Sequence, residues 1–508
     1  MVFMLVVSMN LYAQLDRAGT PVSWNQELTL SIENELVGQA NVDELLQEDE
    51  LELNDRSAPY RFAYAKPVNW NMLNSGNWTN LANGDRIWIL GITYEGAQSV
   101  SVTLDRMSIP KGSKLFLYSE NHAECIGPLT EEDNRFDTFT LPHILGQTIY
   151  LEYYEPRLYR GQGDLVVSYV AGSYRNNEQE FENAQDCARW VFDEPVGSEA
   201  LPAESSVIQV LVDYGQRYAT AVLLNNSSND ATPYVILPTQ ALLAPASSIL
   251  FRFGFVQPHC ITSFTNCSFQ FVCGADLMCT DQAHGLSLLR LKRPPGNDWD
   301  AYYAGWHVGD NGQNEHYCIQ HTKGLVKSFV HYTGDYMPVI QGENTFTGLG
   351  GIGHGQTDGG SIGSPLFDED LDVVGVFVAG NTRCNNIGGI DRFVMLDDVW
   401  STFKAYLDPT QLANERLPGM ILPNQSVAFR GSSSIIMYPN PAREHVELAG
   451  DESFSVYALQ VFNATGRLEL TVYGQSFVDV SMLNDGVYAV RAITSSGPFS
   501  QSLLITKN

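Results

Sequence analysis

The sequence predicts a mainly β protein that is divided into several β domains. Its 508 residues are more than one hydrophobic core normally holds, and about three domains are expected from that length. Short segments of alternating apolar and polar residues, separated by glycine, proline and asparagine turns, recur from residue 58 to the C-terminus. One clear helical spacing of apolar residues occurs within residues 397–407. We therefore expect two β-sandwich domains around a strand-rich block that ends in a helix.

The charge balance disfavours two classes of partner. The chain has 58 acidic and 29 basic residues, which gives a net charge of -29. A surface this acidic repels nucleic acid and anionic membranes, so neither is an expected partner. No stretch has the roughly 18 continuous apolar residues that a transmembrane helix needs, so no transmembrane span is expected.

Residues 1–13, MVFMLVVSMNLYA, have the length and hydropathy of a signal-peptide core. A buried N-terminal strand is the alternative interpretation. No basic residue precedes the run, so the natural start is expected upstream. Export would place the eight cysteines in an oxidising compartment, and none of them forms a Cys-x-x-Cys pair typical of zinc or thioredoxin sites. The cysteines are Cys125, Cys187, Cys260, Cys267, Cys273, Cys279, Cys318 and Cys384.

Residues 14–57 are predicted to be an acidic pro-segment or linker. Glu33–Asp55 contains nine acidic residues and no lysine or arginine. Its interspersed leucines also fit a short amphipathic helix, but the density of charge favours a solvated linker. Residues 58–176 follow with alternating strands and turn residues, which predict an antiparallel β-sandwich without a catalytic constellation.

The third block spans residues 187–408, a linker covers 409–433, and the last block covers 434–508. This last block begins with Tyr-Pro-Asn-Pro-Ala at 438–442, has an Asn-Ala-Thr-Gly-Arg turn at 463–467, and ends after Gly-Val-Tyr at 486–488. These motifs resemble the type IX secretion sorting domain, although an ordinary immunoglobulin-like module is the alternative. The resemblance implies an immunoglobulin-like β-sandwich, the type IX secretion machinery as partner, and delivery to the outer-membrane surface or the medium.

Five ordered segments of the third block resemble the lysyl endopeptidase family of secreted serine peptidases. The block before it also resembles the N-terminal domain of such proteins in the Bacteroidetes group. The resemblance implies a trypsin-like double β-barrel with a C-terminal helix. The five segments are 219–226 with 232–235, 286–291 with Pro294 and Pro295, 302–306, 318–324, and the Gly359–Asp368 loop, which reads GGSIGSPLFD.

The same resemblance implies where a catalytic triad would lie. The general base falls on Gln240, whose amide cannot exchange a proton near neutral pH. The orienting aspartate falls on Gly285, and the nucleophile falls on Ile362, which has no hydroxyl group. Gly360 and Ile362 would supply the oxyanion-hole N–H groups. The lysine-binding acid falls on Gly388, and Ile362 is expected to place its side chain where a scissile carbonyl would sit.

Displaced catalysis and metal binding are alternatives. Ser361 and Ser364 flank the nucleophile position, and His321 and His354 are candidate bases; His284 lies beside Gly285. By itself, the Gly359–Asp368 loop also fits a glycine-rich surface turn. No pair among the remaining candidate ligands has the i,i+4 spacing of a helical metal site, so no metal or other cofactor is expected. Those histidines are His307, His316, His321 and His331.

The sequence therefore predicts a secreted, surface-sorted pseudopeptidase with a peptide- or protein-binding or a structural role. A peptide or protein in the vestigial cleft is the expected ligand. An active serine endopeptidase with displaced catalytic residues is the alternative, and an inert surface-layer or adhesion protein is a third class. The family resemblance also implies a Cys187–Cys384 disulfide. It leaves Cys260 to pair locally, with Cys267, Cys273 or Cys279, or to stay free.

Overall fold

The computed structural model describes most of the chain, and its description excludes the first 18 residues. The described residues are 19–25, 32, 34–52, 56–134, 138–184, 188–191, 201–256, 270–296, 299, 301–309, 315–341, 344–382, 388–411, 413, 415–421, 435–450, 456–464, 467–494 and 497–507. The predicted signal peptide, residues 1–13, lies outside them. None of the described helices has both the length and the hydropathy needed to cross a bilayer.

The N-terminal domain is a β-sandwich. One sheet has the order β1-β5-β11-β7-β8 with β4 beside β5, and the other has the order β10-β6-β12-β3 with β9 beside β6. Their inward apolar side chains, such as Leu90 of β5 and Val102 of β6, share one core. The strands up to this point are β1 (Asn34–Val37), β2 (Tyr60–Arg61), β3 (Ala63–Asn71), β4 (Asn77–Asn80), β5 (Arg86–Tyr94), β6 (Ser99–Ser108), β7 (Lys114–Ser119), β8 (Cys125–Leu129), β9 (Thr138–Thr140), β10 (Ile144–Leu145), β11 (Thr148–Glu155) and β12 (Asp164–Ser173).

The preferred interpretation of the acidic segment as a solvated linker is wrong. Its residues form strand β1, which pairs in parallel with β5, and helix α1 (Val42–Glu52). The helix is ordered because its acids meet arginines of the folded domains. The buried Asp49 carboxylate accepts hydrogen bonds from Arg61 Nε at 2.7 Å and Arg175 Nη2 at 2.6 Å, and Glu52 pairs with Arg217 at 2.7 Å.

Replacement of Asp49 by Asn is expected to lower the free energy of unfolding by about 3 kcal/mol, because two arginines would lose their shared buried counter-charge. Glu50, on the exposed side of the same helix, provides the matched control. Glu50→Gln should change stability by less than about 0.5 kcal/mol. Urea unfolding of both variants at neutral pH measures the difference, and equal stabilities would contradict the assigned role of Asp49.

The first half of the middle domain is a closed antiparallel sheet with the order β17-β16-β13-β14-β15-β19-β18. Its two ends, β17 and β18, are consecutive in the chain and separated only by Gly274, whose φ is +73°. The sheet therefore closes on itself as a barrel. Its strands are β13 (Val207–Val212), β14 (Arg217–Leu224), β15 (Tyr234–Pro238), β16 (Leu250–Phe253), β17 (Gln270–Cys273), β18 (Ala275–Asp281) and β19 (Leu286–Leu291).

The second half repeats this plan. Its sheet runs β25-β29-β28-β27-β22-β23-β26, with β24 outside β25. Only Gly350 and Gly351 separate β25 from β26, so the chain brings the two ends of this sheet together as well. The strands are β20 (Tyr302–Tyr303), β21 (Trp306–His307), β22 (His316–Gln320), β23 (Ser328–Tyr332), β24 (Met337–Gln341), β25 (Asn344–Leu349), β26 (Ile352–His354), β27 (Pro365–Phe367), β28 (Val373–Gly380) and β29 (Asp391–Met395).

The described residues of this part of the chain also form three further α-helices. Helices α2 (Asn177–Ala184) and α3 (Leu201–Glu204) lie between the sandwich and the first barrel. Helix α4 (Leu396–Leu407) follows the second barrel and buries Val399, Phe403 and Leu407, which confirms the predicted helix. Part of the predicted linker 409–433 is not a linker in the structure. Its residues form β30 (Arg416–Leu417), which pairs with β21, and β31 (Met420–Ile421), which pairs with β20.

The last domain is an immunoglobulin-like β-sandwich, and the predicted mainly β fold class is confirmed. One sheet has the order β32-β33-β36 and the other β35-β34-β37-β38. The domain contacts the middle domain, because Phe462 and Tyr302 share a core and Arg491, which is 1% exposed, donates to Ser205 Oγ. The strands are β32 (Ile436–Tyr438), β33 (His445–Ala449), β34 (Val456–Phe462), β35 (Leu468–Tyr473), β36 (Phe477–Asp479), β37 (Gly486–Thr494) and β38 (Gly497–Ile505).

Candidate functional site at the Gly359–Asp368 loop

The Gly359–Asp368 loop follows β26, contains the short strand β27 near its end, and is buried along its whole length. Gly360 and Gly363 both have φ of +89°, in the left-handed region that favours glycine. A Cβ atom at Gly360 would lie 2.8 Å from His321 O, and one at Gly363 would lie 2.0 Å from Thr220 O. The two glycines of the motif are therefore required by backbone conformation and by close packing.

Thr220 of β14 fixes the loop between the two barrels. Its backbone N–H donates to Ile362 O at 2.9 Å, and its hydroxyl donates to Gly360 O at 3.0 Å. The same hydroxyl accepts a hydrogen bond from His321 N at 3.0 Å. One threonine thus joins the first barrel, the loop and the turn after β22.

The side chain of Ile362 is 0% exposed and belongs to the core of the first barrel. Its neighbours in that core include Val210, Leu237 and Leu289. The expectation that this side chain projects into a peptide cleft is therefore wrong. An apolar residue is stable at this position because the barrel interior removes it from water.

Gln240 and Gly285 lie close to each other, as the family resemblance implies. Gln240 is exposed on the short turn after β15, and its Nε2 donates to Val378 O at 3.0 Å. Its neighbour Thr239 donates from N to Gly285 O at 2.8 Å, and Gly363 N donates to Phe377 O at 2.9 Å. The predicted base position and the loop that carries the predicted nucleophile position therefore contact adjacent residues of β28, and the predicted position of the orienting acid lies beside the base position.

A buried carboxylate that the sequence reasoning missed lies near the loop. Gly388, the predicted specificity position, is an exposed turn residue, whereas Asp391 three residues later is 0% exposed. Asp391 accepts hydrogen bonds from Tyr332 Oη at 2.7 Å, Thr382 Oγ1 at 2.8 Å and Thr357 Oγ1 at 3.0 Å. Burial raises the pKa of Asp391, and these hydrogen bonds oppose that shift. The Ile-Asp-Arg sequence at 390–392 was the available signal.

Residues 192–394 match the family described as lysyl endopeptidase, C-terminal domain, and residues 436–506 match the secretion system C-terminal sorting domain. The middle domain is lysyl endopeptidase-like. The last domain is a type IX sorting domain, which directs secretion to the cell surface or outer membrane.

Three solved structures are similar to part of the chain. A mutant of Rv3671c from M. tuberculosis H37Rv, in its inactive form, is 11% identical, with 40% of this chain and 87% of that chain covered and a TM-score of 0.28. The MamO protease domain from Magnetospirillum magneticum is 13% identical, with 39% and 96% covered and a TM-score of 0.27. A mutant of human heparin binding protein (CAP37) is 15% identical, with 40% and 91% covered and a TM-score of 0.32.

The serines of the loop and the two candidate histidines do not form a nucleophile–base pair in the described part of the lysyl endopeptidase-like domain. Ser361 Oγ accepts a hydrogen bond from Asp358 N at 2.9 Å, and Ser364 is buried beside Cys318. His321 donates from Nδ1 to Leu325 O at 2.8 Å, and burial together with the Lys327 charge lowers its pKa well below the usual value. His354 is exposed and lies against His331, with ring centroids 6.2 Å apart. Within the described residues, neither serine hydrogen-bonds to a histidine.

His284 forms a local structural pair. Its Nδ1 lies 3.0 Å from Asp281 Oδ1, and Thr402 of α4 donates to Asp281 Oδ2 at 2.7 Å. Although burial raises the pKa of Asp281, the hydrogen bonds from Thr402 and His284 lower it overall. The Asp281 carboxylate therefore faces helix α4. Asp281 lies four residues before Gly285, the position predicted for the orienting aspartate.

The histidines considered as metal ligands have separate partners. His307 Nδ1 lies 3.0 Å from Asp368, His316 Nε2 lies 2.8 Å from Tyr336 Oη, and His331 Nε2 lies 3.1 Å from Glu315. Over the described part of the chain, no three metal-ligating side chains cluster.

The predicted disulfide bonds fall largely outside the described residues. Cys187, Cys384, Cys260 and Cys267 all lie in segments that the structure does not describe, so the Cys187–Cys384 bond stays a prediction. Cys125, Cys279 and Cys318 carry free thiols. Burial raises the pKa of the Cys318 thiol, so it remains protonated near neutral pH.

Proposed function

We propose that this secreted, surface-sorted protein is a pseudopeptidase, a lysyl endopeptidase-like protein without peptide-bond hydrolysis. The observation that carries this proposal is the identity and burial of the nucleophile position. Ile362 has no group that can attack a carbonyl, and its side chain packs in a barrel core. A serine peptidase needs that position to present a hydroxyl at the surface of its cleft.

The proton-transfer positions support the same proposal. Gln240 hydrogen-bonds to a backbone carbonyl, and an amide is not a general base near neutral pH. Gly285 has no side chain to orient an imidazole. The nearby His321 is buried, and its lowered pKa makes it a weak base.

The buried loop favours a structural role, or binding elsewhere on the surface, over peptide capture at the loop. Residues 359–368 are buried between the two barrels, so a peptide has no access to their backbone N–H groups without a rearrangement. The role of the middle domain would then be to present a stable β scaffold at the cell surface. An active serine endopeptidase remains the alternative that experiment must exclude.

A fluorophosphonate probe tests the proposal directly, because it labels serines that are activated as nucleophiles. We expect no labelling of the purified full-length protein at a probe concentration that labels trypsin completely. Heat-denatured protein is the control for nonspecific reaction. Labelling that appears only in the folded protein, and that maps to Ser361 or Ser364, would refute the proposal and support the active alternative.

A further inference from the structure

A buried arginine from the N-terminal segment contacts the residues that precede the loop. Arg56 follows α1 and is 5% exposed. Its Nη1 donates to Thr357 O at 2.5 Å and to Thr357 Oγ1 at 2.9 Å, and its Nε lies 3.8 Å from Asp358 Oδ1. The guanidinium thus contacts two adjacent residues through two different nitrogens. The planar guanidinium group of an arginine can do this, whereas the ammonium group of a lysine has only one nitrogen.

Two carboxylates make this environment negative. Asp391 hydrogen-bonds to the same Thr357 hydroxyl that accepts from Arg56, and the charge of Arg56 lowers the pKa of Asp391 against the effect of burial. Asp358 also lies 3.6 Å from Lys323 Nζ, which pairs with Glu180 at 3.0 Å. Without Arg56, the buried Asp391 would keep the neutral hydroxyl donors Tyr332 and Thr382 but lose this nearby positive charge. A buried charge without a counter-charge is unfavourable.

The arginine side chain is enclosed by protein, since only 5% of it is exposed. The cavity that remains beside it measures about 10 Å³ and is lined in part by Arg56, Tyr60 and Gly359. A space this small holds at most one water molecule. Truncation of Arg56 would therefore open a vacancy with the size, charge and hydrogen-bond acceptors of an alkylguanidinium group.

We propose that Thr357, Asp358 and Asp391 form a guanidinium-binding pocket, and that Arg56 is its ligand in cis. When Arg56 is removed or displaced, the pocket binds an alkylguanidinium, such as the arginine side chain of another peptide, in trans. The N-terminal segment is then a competitor for any such ligand. This inference concerns binding alone, so it holds or fails independently of the proposed lack of catalysis.

The test compares an alkylguanidinium with an ammonium ion of similar size. Thermal unfolding of the full-length Arg56→Ala variant is followed while ethylguanidinium or ethylammonium chloride is added at matched ionic strength in the millimolar range. We expect the melting temperature of the variant to be several degrees below that of wild type. Ethylguanidinium should raise this melting temperature saturably and in part, whereas ethylammonium should not. Wild type should show no saturable shift, since Arg56 already occupies the pocket.

Two further variants separate a specific site from a general salt effect. Arg56→Ala combined with Asp391→Asn should lose the recovery, because the buried negative charge is gone. Leu104→Ala, which opens an apolar vacancy in the sandwich core, should be destabilised without recovery by either ion. Equal recovery by both ions, or no recovery of Arg56→Ala by ethylguanidinium, would overturn the proposal. If Arg56→Ala does not fold alone, refolding yields in the two salts give the same comparison.

Discussion

Purified protein is expected to leave a denatured protein substrate intact, even on prolonged incubation. Loss of a serine-peptidase triad lowers turnover by on the order of 10⁶, and only residual rate enhancement from binding and oxyanion stabilisation remains. Here the loop that would supply that stabilisation is buried, so even the residual activity should be missing. Gel electrophoresis of the substrate, with a class-specific serine inhibitor as control, measures the result. Inhibitor-sensitive cleavage by the wild-type protein would contradict the pseudopeptidase proposal.

Restoring the nucleophile alone should not restore cleavage. Ile362→Ser leaves Gln240 unable to act as a base, and it replaces a core side chain with a hydroxyl group at an expected cost of about 2–5 kcal/mol. Ile340→Ser, on the exposed strand β24, is the matched control and should be nearly neutral. The triple variant Gln240→His, Gly285→Asp, Ile362→Ser should show at most weak hydrolysis, because the serine would replace a side chain that faces the barrel core.

Deletion of residues 434–508 is expected to abolish surface delivery and to trap the exported chain in the periplasm. The reason is that the sorting domain, which matches over residues 436–506, is removed while the predicted signal peptide at residues 1–13 is retained. Cell fractionation with antibody detection measures the distribution. Normal surface delivery of the truncated chain would contradict the function assigned to this domain.

The contact between the sorting domain and the middle domain requires a second variant. The deletion also uncovers Tyr302, whose ring centroid lies 6.5 Å from that of Phe462, and it removes Arg491 from Ser205. Phe462→Ala weakens this contact but keeps the sorting strands, so it should still be delivered. If both variants remained in the periplasm, the effect of the deletion would be explained by misfolding of the middle domain.

Features that depend on local sequence pattern were predictable. The helical spacing at 397–407 predicted α4, and the structure places its start at Leu396. The glycine content of the 359–368 loop indicated a turn, and both Gly360 and Gly363 have positive φ. The motifs at 438–442 and 486–488 indicated the sorting domain. Each of these signals is contained within a dozen consecutive residues.

Features that depend on distant partners were not predictable. The acids of α1 look solvated in the sequence, because Arg61, Arg175 and Arg217 that bind them lie in other segments. The burial of Ile362 in the first barrel depends on Thr220 and β14, about 140 residues away. The proposed role of Arg56 as a ligand has no signature in the sequence. An arginine beside an acidic run is normally interpreted as a solvent-exposed residue that pairs with its neighbours.

The Arg56 contact also has a kinetic consequence. It joins residues 301 positions apart, and β2 beside it pairs with β14 of the first barrel. Contacts of such separation form late, because the intervening chain loses its loop entropy first. The N-terminal segment leaves the ribosome early, but the guanidinium-binding pocket is complete only after β27, β28 and β29 have formed in the second barrel. Insertion of the arginine is therefore expected to be among the last steps of folding, and its release among the first steps of unfolding.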